Sequence, residues 1–497
     1  MKKSKKRGII IVTIFFEVFM KRASGVLMHV SSLWGDHSIG SFGREAKSFV
    51  DFLVDGGFSY WQVLPFCMAD ESNSPYKSYS AFGGNPFFID LPTLCDDGLI
   101  TPAELAAARQ KTPYLCEYER LSAERVALLK KAAKRADGEL RARIFDFISE
   151  HRQLAEAARF LALRTANGGA PWQSWYEDEA DRDEPFFWQF VQYEFFTQWL
   201  GIKQYANSRG IRLIGDIPIY VAEDSCDVWA NKEQFLLDEN GHPTCVAGVP
   251  PDYFCEDGQL WGNPLYDWER MSEDGYAWWK SRISYMLTLF DGVRIDHFRG
   301  LESYWSVPAD ATTAKQGKWV KGPDEKIVDA IREVAGDKLI IAEDLGDITP
   351  DVVKLLEYSG FPGMRVFQFG FLGDKNSPHL PHNYIKNCVA YTGTHDNNTL
   401  LGYLWECEGG QRDRTLDYCN CPSDDWSRGC EMIIKTMMAS HADTVIFPIQ
   451  DIFVYGADTR MNTPGTVNSN WQYRITEDQL RKVNTAKFKY LNDLYAR

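Results

Sequence analysis

Four acidic residues each follow a short apolar run that has the composition of a buried β-strand. Asp216 lies in IGDIP, Asp296 in RIDHF, Glu343 in IAEDLG and Asp396 in TGTHDNN. A protonated carboxylic acid beside an ionised carboxylate is the arrangement that cleaves glycosidic bonds, whereas neighbouring carboxylates also bind divalent metal ions. The four acids therefore indicate one of these two chemistries, on the condition that the fold brings them together.

Asp296 is distinguished from the other acids by an arginine in the same predicted strand. Arg294 is two residues away, and side chains two apart in a strand lie on the same face. A guanidinium next to a carboxylate favours its ionised form, which is the form that acts as a nucleophile. We therefore predict that Arg294 contacts Asp296 and holds it ionised.

Two histidines adjoin two of these acids. His297 follows Asp296, and His395 precedes Asp396. We interpret both as hydrogen-bonding partners of sugar hydroxyls. The sequence has no HExxH pattern, and the predicted strands carry no interior lysine that could serve as the base of a metal-dependent barrel enzyme. Glycoside transfer is therefore favoured over metal chemistry, and no metal site is predicted.

The elements that would position the acids are eight short runs rich in Val, Ile, Leu and Phe. Such runs are typical of parallel strands buried on both faces, and helical segments lie between several of them. The runs span residues 25–30, 60–66, 212–220, 292–298, 338–345, 364–371, 388–396 and 444–451. This pattern predicts an α/β fold, a (β/α)8 TIM barrel with large, partly helical insertions, in which the acids converge at the carboxyl ends of the strands.

The spacing of the runs predicts where these insertions lie. The stretch between the second and third runs is too long for one crossover helix, and its composition predicts a mainly helical subdomain at about 67–210. A second excursion, at about 221–290, is rich in Gly, Pro and aromatic residues and is predicted to be loops. Residues 1–20 resemble a signal peptide only in part, because Glu17 interrupts their apolar stretch. We interpret 1–20 as a non-native or disordered extension before a single catalytic domain at 21–497.

The amino-acid composition limits the kinds of molecule that the protein is expected to bind. The formal net charge is -15, so the chain lacks the basic surplus that binds nucleic acids or anionic membranes. Aromatic residues make up 14% of the chain, and their flat faces suit sugar rings. The 11 cysteines include no CxxC pair, which argues against a zinc site or a disulfide framework. We predict a cytoplasmic enzyme without a cofactor, and neither a nucleic acid nor a membrane as a partner.

Long motifs in the sequence resemble the amylomaltase, or 4-α-glucanotransferase, family, whose members are also called disproportionating enzymes. The resemblance runs from about Arg22 to Arg474 and so covers nearly the whole chain. The motifs that carry it are RASGVLMHVSSL, SPYKSYSAFGGNP, LIGDIPIYV, GVPPDYF, GQLWGNPLYDW, GVRIDHFRG, AEDLG, YTGTHDNNT and GADTRMNTPGT. Several long motifs in the family's order make the resemblance specific.

The resemblance implies a role for each acid. Asp296 would be the nucleophile that forms a β-glucosyl-enzyme intermediate, Glu343 the general acid and base, and Asp396 a third carboxylate that grips sugar hydroxyls. The resemblance implies that Tyr76, Asp216, Trp261, Arg294, His395 and Asn462 bind substrate, and we predict that Ser74, Asp252, Gln259 and His297 do so as well. The implied reaction is transfer of α-1,4-glucan segments, with retention, from maltooligosaccharides or starch- or glycogen-derived glucans to the 4-hydroxyl of an acceptor glucan or glucose.

Alternatives remain open at this point. An α-glucan hydrolase would use the same acids with water as the acceptor. A silent glycan-binding protein would not need Asp296, Glu343 and Asp396 together, and a metal-dependent lyase or isomerase would lose its activity with EDTA. The segment 249–268 is predicted to be either a packed surface loop or a lid that carries Trp261 as a sugar platform.

Overall fold

In the computed structural model, each of the eight apolar runs contains at least part of a β-strand. The structure describes residues 22–251, 256–421, 425–466 and 469–497, so the interpretation of 1–20 lies outside the described residues. In chain order the strands are β1 (Ala23–Leu27), β2 (Tyr60–Gln62), β3 (Arg212–Ile217), β4 (Cys245–Val249), β5 (Gln259–Pro264), β6 (Gly292–Ile295), β7 (Ser303–Pro308), β8 (Lys318–Lys321), β9 (Leu339–Ala342), β10 (Gly363–Val366), β11 (Cys388–Tyr391) and β12 (Thr444–Pro448).

One strand from each apolar run contributes to a closed barrel. The order around the barrel is β1, β2, β3, β6, β9, β10, β11 and β12, and each strand runs parallel to its neighbours. Helices lie between most consecutive barrel strands. The predicted (β/α)8 TIM barrel is confirmed.

The barrel strands are apolar because both of their faces are buried. Every residue of β1, β6, β11 and β12 is buried. Tyr391 and Ile446 belong to one buried cluster inside the barrel, while the alternate residues Val445 and Phe447 belong to the core shared with the helices. Exclusion of water on both sides explains why near-continuous apolar runs mark these strands in the sequence.

Several α-helices begin at the capping signals that the sequence contains. Thr101 caps the helix that starts at Pro102, in a capping box with Glu104, and Thr349 caps the helix that starts at Pro350. The helices are α1 (Arg44–Asp55), α2 (Leu91–Asp96), α3 (Pro102–Ala107), α4 (Tyr118–Arg120), α5 (Val126–Lys134), α6 (Gly138–Glu150), α7 (Arg152–Ala166), α8 (Asp183–Ser208), α9 (Cys226–Ala230), α10 (Trp268–Glu273), α11 (Ala277–Leu289), α12 (Glu325–Ala335), α13 (Pro350–Ser359), α14 (Leu400–Glu406), α15 (Gly409–Tyr418), α16 (Trp426–Ala439), α17 (Ile449–Phe453), α18 (Glu477–Arg481) and α19 (Thr485–Leu494). Within the described ranges, no helix is long and apolar enough to cross a membrane.

The insertion between β2 and β3 is mainly helical, as its composition predicts. It contains α2 to α8, and α8 extends over 26 residues. Trp199 of α8 is fully buried and packs edge to face on Phe66 with a ring distance of 4.6 Å. The indole N–H of Trp199 also donates a hydrogen bond to the carbonyl of Leu289 at 2.9 Å. The insertion is therefore fixed to the barrel through α8.

A second sheet, which is antiparallel, lies outside the barrel and was not predicted. Its order is β5, β4, β7 and β8. The segment 221–290 is therefore more regular than the predicted loops, because it contains α9, β4, β5, α10 and α11. The sequence does not reveal this sheet because β5 and β8 are largely exposed and carry no apolar run.

The first and last barrel strands are joined by hydrogen bonds from side chains as well as by the backbone hydrogen bonds between the strands. β1 pairs with β12 along its whole length. Arg22 and Arg497 both donate hydrogen bonds to the carbonyl of Ser440, and Arg497 also donates to the carbonyl of Ala23. Two guanidinium groups therefore tie the beginning of β1 to the segment that precedes β12.

Candidate active site

Backbone hydrogen bonds hold the ends of three barrel strands together at the rim. The N–H of Asp296 donates to the carbonyl of Ile217, at the end of β3, at 2.9 Å. The N–H of Glu343 donates to the carbonyl of Ile295, at the end of β6, at 3.0 Å. Asp296 and Glu343 therefore follow adjacent parallel strands directly, and the barrel places them at the same rim.

Arg294 joins two of the acids inside the barrel. Its Nη1 lies 2.6 Å from Oδ2 of Asp216, and its Nη2 lies 2.7 Å from Oδ1 of Asp296. The predicted contact between Arg294 and Asp296 is confirmed. Burial opposes the charged guanidinium, but the carboxylates of Asp216 and Asp296 outweigh burial and hold the pKa of Arg294 well above its ordinary value. Asp296 therefore has a permanent positive charge at hydrogen-bonding distance.

Glu343 is almost completely enclosed, with 8% of its surface exposed. Its Oε2 accepts the backbone N–H of His297 at 2.6 Å, and its Oε1 accepts the backbone N–H of Leu345 at 3.1 Å. Burial, followed by the negative charge of Asp296, raises the pKa of Glu343 to about 8, although Arg294 opposes the shift. The carboxyl of Glu343 is therefore protonated at neutral pH.

His297 adopts a backbone conformation that directs its N–H towards Glu343. Its φ of 50° lies in the left-handed region, which costs about 1 kcal/mol or more for a residue with a side chain. Its ring packs edge to face on Trp261 at a centroid distance of 4.8 Å. Burial, and then the charge of Arg299, lowers the pKa of His297 to about 3, so the ring is neutral. A neutral imidazole offers one donor and one acceptor nitrogen, which suits a sugar hydroxyl.

Asp396 is the acid with the most accessible side chain, at 43%. Its Oδ1 accepts a hydrogen bond from Nδ2 of Asn462 at 2.6 Å, and its Oδ2 lies 3.3 Å from Nε2 of His395. Desolvation raises the pKa of Asp396, but His395 and the bond from Asn462 outweigh it and lower the pKa to about 2. Arg460 donates a further hydrogen bond to the backbone carbonyl of Asp396. Asp396 therefore stays ionised where Glu343 is protonated.

Three rings form an aromatic wall beside these acids: Tyr76, His395 and Trp471. Tyr76 stacks on His395 at a centroid distance of 5.0 Å, and Trp471 lies 5.8 Å from His395 and 5.9 Å from Tyr76. The hydroxyl of Tyr76 donates a hydrogen bond to Oδ2 of Asp216 at 2.7 Å. The wall is therefore connected to Asp216 and Arg294 on one side and to Asp396, through His395, on the other.

Arg294 offsets part of the negative charge that the acids bring to the rim. The guanidinium of Arg294 bridges Asp216 and Asp296 and offsets the negative charges that would otherwise attract a cation. In the part of the chain that the structure describes, no group of three or more His, Cys, Asp or Glu side chains is arranged to hold a metal ion. The chemistry that this geometry offers is proton transfer at one carboxyl and nucleophilic attack at another.

A cavity of about 850 Å³ lies between the helical insertion and the barrel rim. Trp471 and His29 line it on the barrel side, and none of the four acids at the rim does. We place the candidate active site at the acids and not in this cavity. The protonation states and hydrogen bonds of side chains determine the chemistry of a site, whereas the volume of a cavity limits only the size of the molecule that can enter. The cavity adjoins that site through Trp471 of the aromatic wall.

A family model described as 4-alpha-glucanotransferase matches residues 28–480. The chain belongs to the 4-alpha-glucanotransferase family. It is 41% identical over 492 residues to a 4-alpha-glucanotransferase of Clostridium butyricum, with coverage of 95% of this chain and 100% of that protein. It is also 41% identical over 497 residues to the Thermus thermophilus 4-alpha-glucanotransferase, with coverage of 95% and 98%. Amylomaltase from Streptococcus agalactiae, solved in complex with acarbose, has a TM-score of 0.92 and 38% identity, and the match covers 96% of this chain and 100% of that one.

In this member of the 4-alpha-glucanotransferase family, the structure brings most of the predicted site residues together. The residues joined by the contacts above are Tyr76, Asp216, Trp261, Arg294, Asp296, His297, Glu343, His395, Asp396 and Asn462. Ser74 and Gln259 contact two of these residues: Ser74 Oγ accepts the N–H of Tyr76 at 3.3 Å, and Gln259 Oε1 accepts the indole N–H of Trp261 at 3.2 Å. Asp252 lies outside the described residues.

Trp261 is carried by a strand rather than by the loop predicted at 249–268. It lies in β5, which pairs with β4 in the antiparallel sheet. The strand was not anticipated because QLWGNP contains a glycine and an asparagine and is largely exposed. A sheet therefore supports Trp261 against His297, which fixes its position more firmly than a loop would.

Two residues of the 4-alpha-glucanotransferase site were not identified from the sequence. Trp471 completes the aromatic wall, and Arg460 binds the backbone of Asp396. Both follow β12, outside the eight apolar runs, so reasoning from strand ends does not reach them. Arg460 lies in the motif GADTRMNTPGT, which is the signal that could have identified it, and Trp471 lies in the segment SNWQYR at 469–474.

Proposed function

We propose that this protein transfers α-1,4-glucan segments from a donor maltooligosaccharide or glucan to the 4-hydroxyl of an acceptor glucan or glucose, by two displacements with net retention. The observation that carries the proposal is a pair of carboxyls on adjacent strands in opposite surroundings. Glu343 is buried and its pKa is raised, whereas Asp296 is ion-paired with Arg294. Glycoside transfer requires such a pair, and membership of the family supports the substrate class.

In the first displacement, Asp296 attacks the anomeric carbon while Glu343 supplies a proton. Arg294 binds Oδ1 of Asp296, so Oδ2 is the oxygen that forms the bond to carbon. The glycosidic bond breaks, its oxygen takes the proton of Glu343, and the released fragment leaves with a new 4-hydroxyl. The result is a glucosyl ester of Asp296 and an ionised Glu343.

In the second displacement, Glu343 acts as the base. It takes the proton of the acceptor's 4-hydroxyl as that oxygen attacks the anomeric carbon and the ester bond to Asp296 breaks. The N–H groups of His297 and Leu345 donate to the Glu343 carboxylate, and such bonds are strongest while it is charged. They therefore stabilise the ionised state that exists between the two displacements, and the cycle ends with Glu343 protonated again.

The remaining groups bind the sugar next to the bond that breaks. Asp396 remains ionised and accepts hydrogen bonds from sugar hydroxyls, while Asn462 and His395 fix its two oxygens. The neutral ring of His297 serves as donor or acceptor, and Trp261 provides an apolar face beside it. Transfer to a sugar instead of water then depends on how well an acceptor glucan fills the site.

Maltotriose as the sole substrate tests the proposal. We expect glucose together with a ladder of shorter and longer maltooligosaccharides, while the total number of reducing ends stays constant, because each transfer makes one glycosidic bond for each bond it breaks. An increase in reducing ends with glucose and maltose as the only products would identify a hydrolase. Loss of activity on treatment with EDTA would point instead to the metal-dependent alternative, and a protein that yields no products would match the silent glycan-binding alternative.

We further propose that residues 21–497 act as one catalytic unit in the cytoplasm, on maltooligosaccharides, starch- or glycogen-derived glucans and glucose. Every cysteine that the structure describes is free, which is typical of a reducing compartment. The insertion at 67–210 contributes Tyr76 to the site and is anchored to the barrel through Trp199. The unit would therefore lose part of its site if the insertion were removed.

Replacing Tyr76 by Phe is expected to lower the free energy of unfolding by about 1 kcal/mol, because Oδ2 of Asp216 loses a buried donor. We also expect kcat/KM for maltotriose to fall by about tenfold, since Asp216 positions Arg294. Tyr205→Phe is the matched control: it removes a hydroxyl that donates to Asp51 at an exposed position, and it should leave kcat/KM unchanged. Parental stability and kinetics in Tyr76→Phe would contradict this role of Asp216.

A further inference from the structure

The segment that carries His395 and Asp396 is held at both ends by one side chain from another part of the barrel. We call residues 392–400 the Asp396 loop; it begins directly after β11 and ends at the first residue of α14. The hydroxyl of Thr392 donates a hydrogen bond to Oδ2 of Asp451 at 2.6 Å. The N–H of Leu400 donates to Oδ1 of the same carboxylate at 2.7 Å.

We propose that Asp451 is a positioning residue for the transfer reaction, because it closes the base of the Asp396 loop and thereby sets the position of Asp396. The inference rests on the role proposed above for Asp396. Asp451 lies in α17, directly after β12, so the closure links two neighbouring barrel strands.

The two hydrogen bonds of Asp451 to the ends of the Asp396 loop lie in a buried part of the protein. Asp451 is 1% exposed, and Thr392 and Leu400 are buried as well. A buried carboxylate is costly unless each oxygen has a donor, and an apolar side chain in its place would give similar or greater stability. The carboxylate does something that an apolar side chain cannot do, because each of its oxygens accepts a hydrogen bond from a different end of one loop.

The upper part of the Asp396 loop is held separately. Oδ1 of Asn397 accepts hydrogen bonds from the N–H and the hydroxyl of Thr394, both at 2.9 Å. At the tip, Asn462 and Arg460 bind the side chain and the carbonyl of Asp396. The tip contacts fix Asp396 to Arg460 and Asn462, which follow α17, whereas Asp451 lies within α17, directly after β12, and fixes the base of the loop next to the barrel strands. A displacement of about 1 Å at a catalytic group is enough to lower a rate by about 100-fold.

Two kinds of variant test the proposal by kcat/KM for maltotriose. Thr392→Val removes one donor at constant shape, and we expect about a tenfold fall, whereas Thr392→Ser keeps the hydroxyl and should stay within about twofold of the parent. Asp451→Asn keeps the shape but has one acceptor oxygen in place of two, and we expect about a tenfold fall. If Asp451 acts through Asp396, the same Asp451→Asn change made in an Asp396→Asn background should cost less than about twofold more.

Glu194→Gln is the control for a general effect of changing a buried carboxyl to an amide. Glu194 is buried in α8, where it accepts a hydrogen bond from Gln198, and its replacement should leave kcat/KM unchanged. Equal losses from Asp451→Asn in the parent and in the Asp396→Asn background would overturn the proposal, as would parental kinetics in Thr392→Val. Parental activity in Asp396→Asn alone would instead overturn the role of Asp396, so the two failures are distinguishable. If Asp451→Asn does not fold, the comparison of Thr392→Val with Thr392→Ser still decides the question.

Discussion

An Asp296→Asn variant is expected to have a kcat for maltotriose disproportionation about 10⁴-fold or more below that of the parent. The amide oxygen of Asn is a poor nucleophile and does not form the glucosyl ester through which both displacements pass. The fold should persist, because Arg294 keeps its ion pair with Asp216. Initial rates of glucose release, together with thermal unfolding of both proteins, measure the effect and show whether the variant is folded.

The same Asp-to-Asn change at Asp329 provides the control for the Asp296 variant. Asp329 lies on the exposed surface of α12, where it accepts a hydrogen bond from Tyr358, and Asp329→Asn should have the parental kcat. Parental activity in Asp296→Asn would exclude Asp296 as the attacking group. The buried charge of Arg294 would then have no role in activating a nucleophile.

Glu343→Gln is expected to lower kcat by about 10³-fold, because an amide neither donates a proton to the leaving oxygen nor accepts one from the acceptor. The parent's activity should decline as the pH rises through about 8, since the acid form of Glu343 is lost there. The residual activity of the variant should lack that decline. A parent whose rate stays constant from pH 7 to about pH 9.5, well past that pKa, would contradict the assignment of Glu343 as the acid.

The raised pKa of Glu343 also makes stability depend on pH. The pKa is about 8 in the folded protein and about 4.3 in an unfolded chain, so the folded state binds the proton more tightly. The stability that this proton contributes is fully present below about pH 4 and is lost as the pH rises through about 8. Gln does not titrate, so the free energy of unfolding of Glu343→Gln relative to the parent should increase by about 4 kcal/mol between pH 5 and pH 9.

Urea unfolding of the parent and of Glu343→Gln at the two pH values measures this difference. Gln has one acceptor oxygen in place of two, so one of the bonds from the N–H groups of His297 and Leu345 is lost. This loss is a constant feature of the variant, which does not titrate, and it cancels when the two pH values are compared. Asp329→Asn again serves as the control and should follow the parent at both pH values. A difference between Glu343→Gln and the parent that does not change with pH would mean that the folded state does not raise the pKa of Glu343.

The barrel and the convergence of its acids could be predicted because one physical cause links sequence to structure. Strands buried on both faces must be apolar, so an acid at the end of such a run marks a strand end. The contact between Arg294 and Asp296 follows from the two-residue repeat of a strand. Pattern alone therefore placed Asp216, Asp296, Glu343 and Asp396 at one rim.

Other features of the site depend on interactions that leave little trace in the sequence. The raised pKa of Glu343 depends on its burial and on the negative charge of Asp296, and it is opposed by the N–H of His297, which a left-handed backbone directs towards the carboxyl. The strand that carries Trp261 is exposed, and exposed strands lack the apolar run that reveals a buried one. The closure by Asp451 joins positions far apart in the chain, and a single sequence contains no signal for such a pairing.

The pairing of β1 with β12 has a consequence for the order in which the chain folds. The barrel cannot close until β12 has been synthesised, so β1 emerges from the ribosome long before its second neighbour exists. Until then β1 has an unpaired edge. Parallel strands from distant parts of a chain pair slowly, and an unpaired edge can associate with other chains in the meantime. The helical insertion has many local contacts and can become ordered early, whereas the ring of strands, and with it the aligned acids, cannot be completed before β12 is available.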